Sequence, residues 1–475
     1  MFTPARIRLL SVTCIALFMA MLDNLVLGVA LPSIQRSFSA DVSDLEWFMN
    51  AYTLAFSVLL IPFSVLGERF GRKRVFLAGV AMFTAGSALA GLSGSSMELI
   101  LARALQGVGG AAIVPLSLTL VNAAFPANLR AAALGIWSGI SGLGLSIGPL
   151  VGGLIVEGAP WQLIFWVNVP VGALALVFGS LWLPESRGER KPIDPLGIAL
   201  IGSGLFCLVY GLEHGNADGW TSVKVVGLLT GGALLLTLFY FWERSRKEPF
   251  VRFELFRSGS YAAYIFTGFW MNAGIFGSIF LLTLFLQQAQ GYSALEAGVR
   301  TMAWTGCTMA AAPLAGLAIS KFGTKTVLGA GLLLQTIALA GFGLLIAANG
   351  VDFPFLVQAP LMMLAGTGMG LSFTPLAHGV LSSVPEASAA EASGISNAVR
   401  ELGGVFGIAI GATIFQSGSA IQSPADFGSH VVPALYASSA MIAAAWIALA
   451  AFARSGAARR NAEAEGAAKP VGSAG

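Results

Sequence analysis

LLSVTCIALFMAMLDNLVLGVAL, Leu9 to Leu31, is an unbroken apolar run interrupted by one carboxylate, Asp23. About 20 apolar residues cross the ~30 Å hydrocarbon core of a bilayer as a helix. The run is too long for the apolar region of a signal peptide, so it reads as a retained span. Working outward, runs bounded by charges or turn residues recur near 47–66, 75–93, 98–123, 131–156 and 163–183. Two more lie near 195–213 and 222–242. A further six lie near 261–286, 295–319, 326–348, 354–382, 393–415 and 432–453. The expected fold is therefore an all-α integral membrane protein with 14 transmembrane helices.

Composition agrees. Charged residues make up 10% of the 475 and hydrophobic ones 56%, with a mean hydropathy of +0.80, where a soluble chain would carry roughly 25% charge. A formal net charge of +3, scattered along the chain, lacks the clustered basic face that nucleic acid requires. Cys14, Cys207 and Cys307 are far apart inside apolar runs, in neither a metal-ligand nor a disulfide pattern. His214, His378 and His430 are equally isolated, and the sequence contains no Gly-Lys pair from which a Walker phosphate loop could be built. Gly107-Val-Gly109-Gly-Ala-Ala112 spells a dinucleotide fingerprint, but inside a long apolar helix rather than between strand and helix. No cofactor, metal or enzymatic constellation is expected.

Lys and Arg gather in cytoplasmic connections. Of the 26, 21 fall on the side of the N-terminus, three (Arg36, Lys224 and Arg300) on the other, and Arg103 and Arg400 within spans. Both termini are thus expected in the cytoplasm, with the chain spanning the inner, or plasma, membrane. FGRKRVFLAG (Phe70 to Gly79) and FGTKTVLGAG (Phe322 to Gly331) repeat one another after the second and the tenth span. Two pseudo-symmetric six-helix bundles follow, 1–190 and 258–455, with helices 7 and 8 inserted over 191–257 and a disordered cytoplasmic tail over 456–475. Repeated halves around a central site are a common transporter plan.

Four motifs carry a resemblance. LARALQGVGGAA (Leu101 to Ala112) fits L-x-R-x-x-Q-G, and GLSIGPLVGG (Gly144 to Gly153) fits G-x-x-x-G-P-x-x-G-G. SVLGERFGRKRVF (Ser64 to Phe76) fits the loop pattern G-x-L-x-D-R-x-G-R-K with Ser64 for its first glycine and Glu68 for its aspartate. MLDNLVLGVALPSI (Met21 to Ile34) follows L-D-x-T-x-x-N-x-A-L-P with Leu25 and Gly28 at the two polar positions. WQLIFWVNVPVG (Trp161 to Gly172) and ISNAVRELGGVFG (Ile395 to Gly407) extend it. The sequence resembles the major facilitator superfamily, in its fourteen-helix drug:proton antiporter branch. The resemblance implies a proton-coupled multidrug efflux antiporter that exports small amphipathic or cationic compounds and works as a monomer, its partners being small molecules, protons and lipid. Alternatives are a proton-coupled exporter of one metabolite or antibiotic and, from another class, a non-transporting membrane sensor.

The residues carry their own chemistry. An ionisable side chain near the bilayer centre costs at least ~2.5 kcal/mol and is seldom kept without a task. At 1.5 Å per residue, Asp23 lies about 13 Å in from Pro32 and Arg103 about 8 Å in from Glu98, depths at which they can meet. A neighbouring arginine favours the ionised carboxylate and desolvation the protonated one, so movement between two states can tie proton uptake to conformation. The competing reading is a static ion pair. Gly67, Glu68, Arg69, Gly71, Arg72 and Lys73 form a short loop suited to latching helices. Gly144, Gly148, Gly152 and Gly153, with Pro149, permit a close and kinkable helix contact. Arg400 and Glu401, adjacent and some 100° apart on one helix, are not expected to face one point. Asn50, Tyr52, Gln106, Trp270, Asn272 and Asn397, together with Arg400 and Glu401, are candidates for a cavity or gate.

Overall fold

The computed structural model describes residues 3–187, 194–247, 249, 251–385, 388–417 and 423–467. A first set of helices comprises α1 (Pro4–Phe38), α2 (Val42–Phe70), α3 (Arg72–Leu92), α4 (Ser96–Ala124), α5 (Ala127–Gly158) and the broken pair α6 (Leu163–Trp166) and α7 (Asn168–Trp182). Next come α8 (Pro195–Asp218) and α9 (Val223–Ser245). The second set is α10 (Gly259–Leu284), α11 (Ala294–Phe322), α12 (Thr324–Asn349), α13 (Phe355–Ser382), α14 (Ala389–Gln416) and α15 (Pro424–Ala467). Among the described residues, 12 helices are long and apolar enough to cross a membrane, or 13 if bent α2 counts as one. Its two parts, Val42–Leu60 and Pro62–Phe70, meet at 50°, where the ring of Pro62 removes a ladder hydrogen bond.

Helix ends are set by local chemistry. The Asp41 side chain accepts the Asp44 amide at 2.8 Å, and Ser293 and Glu296 form a reciprocal capping box at the start of α11, satisfying amides that a helix start leaves bare. The turn between α2 and α3 rests on Gly71 at φ +114°, a conformation open to glycine and strained for other residues.

The two sets repeat one packing scheme. In the first, α1 packs on α5 and α7, and α4 on α2 and α3; in the second, α10 packs on α14 and α15, and α13 on α11 and α12. The repeated stretch takes part: Gly79 brings α3 onto the Gly109 carbonyl of α4, and Gly331 brings α12 onto the Gly368 carbonyl of α13. Missing side chains allow this approach, which supplies the dispersion contact that holds helices together in lipid. The sets meet along α5 with α11 and α2 with α14, while α8 packs on α9 and lies against both α14 and α2.

Residues 456–467, in the stretch expected as a tail, continue α15 as helix. The stretch is rich in Ala, Glu and Arg, all strong helix formers. Residues 468–475 lie outside the described residues.

Candidate functional site

Asp23 sits on α1 and Arg103 on α4, 0% and 1% exposed, joined by a salt bridge between the Asp23 carboxylate and Arg103 Nη1. The two side chains meet, and the surroundings explain how two charges survive there. Asp23 Oδ1 accepts from Gln106 Nε2 at 3.1 Å and Asn168 Nδ2 at 2.8 Å. Arg103 donates from Nε to the Phe48 carbonyl at 3.0 Å and from Nη1 to Gln106 Oε1 at 2.9 Å, and Gln106 also donates to Ser87 Oγ at 2.7 Å. The guanidinium lies 4.6 Å from the Tyr52 ring centroid, a cation–π contact. A buried pair is tolerable only when its remaining donors and acceptors are met in this way. Five helices, α1 to α4 and α7, thus join one network around the ion pair. Asn168 and Ser87 were missed by the sequence reading; Asn168 was visible only as an amide inside the apolar stretch WQLIFWVNVPVG.

The glycines of α5 divide between two neighbours. β-Carbons at Gly144 and Gly148 would lie 3.0 and 3.1 Å from the β-carbons of Met21 and Leu25, and one at Gly152 would lie 2.7 Å from the Val26 carbonyl, all on α1. One at Gly153 would lie 2.7 Å from the Ala294 carbonyl on α11. Beside this contact is a small apolar crevice between the two sets, lined by Leu25, Gly28, Met49, Pro149, Trp304 and Met362 among others. The amide and charged candidates do not line it. Tyr52 and Gln106 are packed inside the first set against Arg103 and Ser87, Asn50 is fully buried on α2, and Asn272 donates to the Arg400 carbonyl at 2.9 Å. Asn397 is half-buried on α14, and Trp270 packs edge-on against Phe266 and Phe269.

At the end of α1 that holds Pro32, four hydrogen bonds join the sets. Gln287 Nε2 donates to the Val29 carbonyl at 2.9 Å, and Gln288 Nε2 to Gln35 Oε1 at 2.6 Å. Gln416 Nε2 donates to Glu46 Oε1 at 2.6 Å, and Ser293 Oγ to Glu157 Oε2 at 3.1 Å. Glu46, fully buried on α2, is a second carboxylate that the sequence reading passed over.

At the opposite end, Arg72 grips Glu68 with two bonds, Nε to Oε1 at 2.8 Å and Nη2 to Oε2 at 2.7 Å, tying α3 to α2. Glu185, just past α7, accepts the Lys73 amide at 3.1 Å and lies 3.7 Å from Arg74 Nε, while Lys73 Nζ donates to the Ser180 carbonyl at 2.7 Å. A β-carbon at Gly71 would run into the Glu185 carboxylate, and Gly67 makes room for Leu116 of α4. The Arg69 guanidinium lies 5.6 Å from the Phe70 ring centroid. On α14, Arg400 and Glu401 contradict the expectation from helical spacing: Arg400 Nη2 reaches Glu401 Oε1 at 3.3 Å. Both side chains are long enough to bridge the angle between their backbones.

A family model described as Major Facilitator Superfamily matches residues 13–408. The chain belongs to the Major Facilitator Superfamily. Members carry small molecules across membranes and are not enzymes, and the described helices fit that role. This facilitator is 35% identical over 398 residues to the tetracenomycin C resistance and export protein of Streptomyces glaucescens, covering 83% of this chain and 73% of the relative. It is 36% identical over 400 residues to the multidrug resistance protein Stp of Mycobacterium tuberculosis, covering 84% and 74%. With the methylenomycin A resistance protein of Bacillus subtilis it shares 30% over 447 residues, covering 94% and 95%. In fold it resembles the POT family transporter PepTSo, with a TM-score of 0.69 at 15% identity over 94% of this chain and 98% of that one.

Proposed function

We propose that this facilitator is a proton-coupled efflux antiporter exporting small amphipathic or cationic compounds from the cytoplasm. The observation that carries the reading is Asp23, fully buried and held by Arg103, Gln106 and Asn168. A carboxylate in such a place can exchange a proton only if the helices around it part, so its charge state and the arrangement of the bundle are linked. α1 also carries Leu25, Gly28 and Val29 into the apolar crevice, so one helix touches both the proton site and the space open to a ligand. The names of the drug and antibiotic resistance relatives support the substrate class.

The reading includes 14 spans, with bundles over 1–190 and 258–455 and an insertion over 191–257. Both termini lie in the cytoplasm, in the inner or plasma membrane, and the protein acts as a monomer. On that orientation the four hydrogen bonds near Pro32 close the outer side, and the loop from Gly67 to Lys73 braces the cytoplasmic side. Two relatives named for a single antibiotic favour a second reading, export of one antibiotic or metabolite. Inverted vesicles given a compound library under an imposed proton gradient test both: proton release driven by several unrelated compounds supports the first reading, by one alone the second. Flux that needs ATP and ignores the gradient refutes both.

A further inference from the structure

The inserted pair α8 and α9 covers the seam where α2 of the first set meets α14 of the second. Its two sides are bound differently. Toward α14, Asn216 Nδ2 donates to the Thr413 carbonyl at 2.5 Å, and Thr413 Oγ1 donates back to the Leu212 carbonyl at 3.2 Å. At the other end of α9, Phe239 and Val251 pack with Ile395 of α14. A chain of rings runs from Tyr240 through Phe253 and Phe256 to Tyr261 of α10, with centroids 4.9, 6.0 and 5.3 Å apart. Tyr261 in turn donates from its hydroxyl to the Ala392 carbonyl at 3.2 Å. The insertion is therefore tied to the second set at both ends. The apolar contacts are shared: one cluster holds Leu54 and Val58 of α2, Ile201 and Leu205 of α8 and Val405 and Ala409 of α14, and Trp47 of α2 lies against the rings of Phe206 and Tyr210. Apolar contacts are non-directional and keep their value as surfaces slide, whereas paired hydrogen bonds fix a register.

We infer that the inserted helices are a wing of the second bundle that glides over α2 and keeps the α2/α14 seam closed to lipid while the bundles move. The inference rests on the bundle motion proposed above, and the test separates the two. Native cysteines are replaced (Cys14→Ala, Cys207→Ala, Cys307→Ala), and two pairs are introduced separately in the full chain. Val58→Cys with Gly202→Cys links α2 to α8, since a β-carbon at Gly202 would lie 3.3 Å from Val58 Cγ1. Asn216→Cys with Thr413→Cys links α8 to α14. Both pairs are closed by oxidant in vesicles and reopened by reductant.

Closing the first pair should lower transport about tenfold or more, reversibly, because turnover is set by the conformational step; closing the second should leave the rate within about twofold of the reduced form. Unchanged transport with the α2 pair closed, or loss with the α14 pair closed, overturns the inference. Cross-linking yield gives a readout that needs no transport. An imposed proton gradient should alter the yield of the first pair and not the second; the reverse pattern overturns the wing. Absence of flux in the cysteine-free parent, with yields behaving as expected, would count against the antiporter reading and leave the wing standing.

Discussion

Replacing Asp23 by Asn keeps the volume of the side chain but leaves one neutral acceptor oxygen, so an NH2 faces either Arg103 or the Gln106 and Asn168 donors. The guanidinium then remains buried with no anion. Removing one partner of a buried pair costs about 3–5 kcal/mol, which at about 1.4 kcal/mol per tenfold is roughly two to three and a half orders of magnitude in an equilibrium. That cost falls on every state in which Arg103 stays enclosed by Phe48, Tyr52 and Gln106, so the population moves toward states in which it is hydrated. The substituted side chain also cannot carry a proton. In inverted vesicles, Asp23→Asn should therefore lose uphill export driven by a proton gradient, while downhill exchange of substrate persists and the protein still inserts. Asp23→Glu should retain part of the uphill activity. A static brace predicts a different pattern, in which Asp23→Asn and Arg103→Gln each lower abundance and the double variant restores abundance and uphill transport together. Uphill export by Asp23→Asn at normal stoichiometry would refute the assignment, with Glu401 as the next carboxylate to test.

Asn168→Ala removes one of the two amide donors on Asp23 Oδ1, a charge-assisted bond worth about 1.5–3 kcal/mol, and should lower uphill export more than downhill exchange when both are measured in the same vesicles. Gly148→Val puts a branched side chain where Leu25 and the Leu22 carbonyl already stand, and should abolish transport; Gly158→Ala on the same helix meets nothing within 4 Å and should leave both rate and abundance unchanged. Glu185→Gln removes the charge facing Arg74 and weakens the acceptor for the Lys73 amide, so turnover should fall with little change in substrate binding, read as kcat against KM. A cysteine placed in the loop near Gly71 should react with an impermeant reagent from the cytoplasmic face alone, and one near Asp218 from the outside alone; labelling of both from one side would refute the odd number of spans between them.

The helices and the ion pair were legible because lipid imposes simple rules. A span must be long and apolar, and a charge inside it needs a partner at its own depth, which was enough to bring Asp23 and Arg103 together on paper. Asn168 was not legible in the same way. A neutral amide costs less to bury than a charge, and nothing in a one-dimensional run says that α7 turns it toward α1. Glu46 stands close to a capping aspartate at the start of α2, where acidic residues are ordinary, so its burial against Gln416 left no mark in the sequence. Arg400 and Glu401 failed for another reason: backbone angle was counted and side-chain reach was not. The seat of α8 against both α2 and α14 was hidden because a helix in lipid is apolar on every side, and the usual contrast between a buried face and a wet one is lost.

The two halves share a backbone plan and differ in what it carries. Gly144 and Gly148 of α5 face the Phe18 and Leu22 carbonyls of α1, while Gly403 and Gly407 of α14 face the Phe269 and Ala273 carbonyls of α10. The next residues along the partner helices are Asp23 and Gly274. Counting back equally from Gly109 on α4 and Gly368 on α13, which sit against Gly79 and Gly331, reaches Arg103 in the first half and Met362 in the second. Where Asp23 meets Asn168 of α7, Gly274 meets Ser438 and Ile442 of α15. The buried ion pair thus occupies one half, and its mirror position is apolar, with Met362 lining the crevice. A ligand lodged there would touch both halves and reach the ion pair through α1, whose Leu25, Gly28 and Val29 line the same space, and through Met49 of α2, next to the Phe48 carbonyl that accepts from Arg103. On the antiport reading, exchange between proton and substrate is then a matter of where α1 stands: Gly144, Gly148 and Gly152 hold it against α5, and Asp23 holds it against α4 and α7.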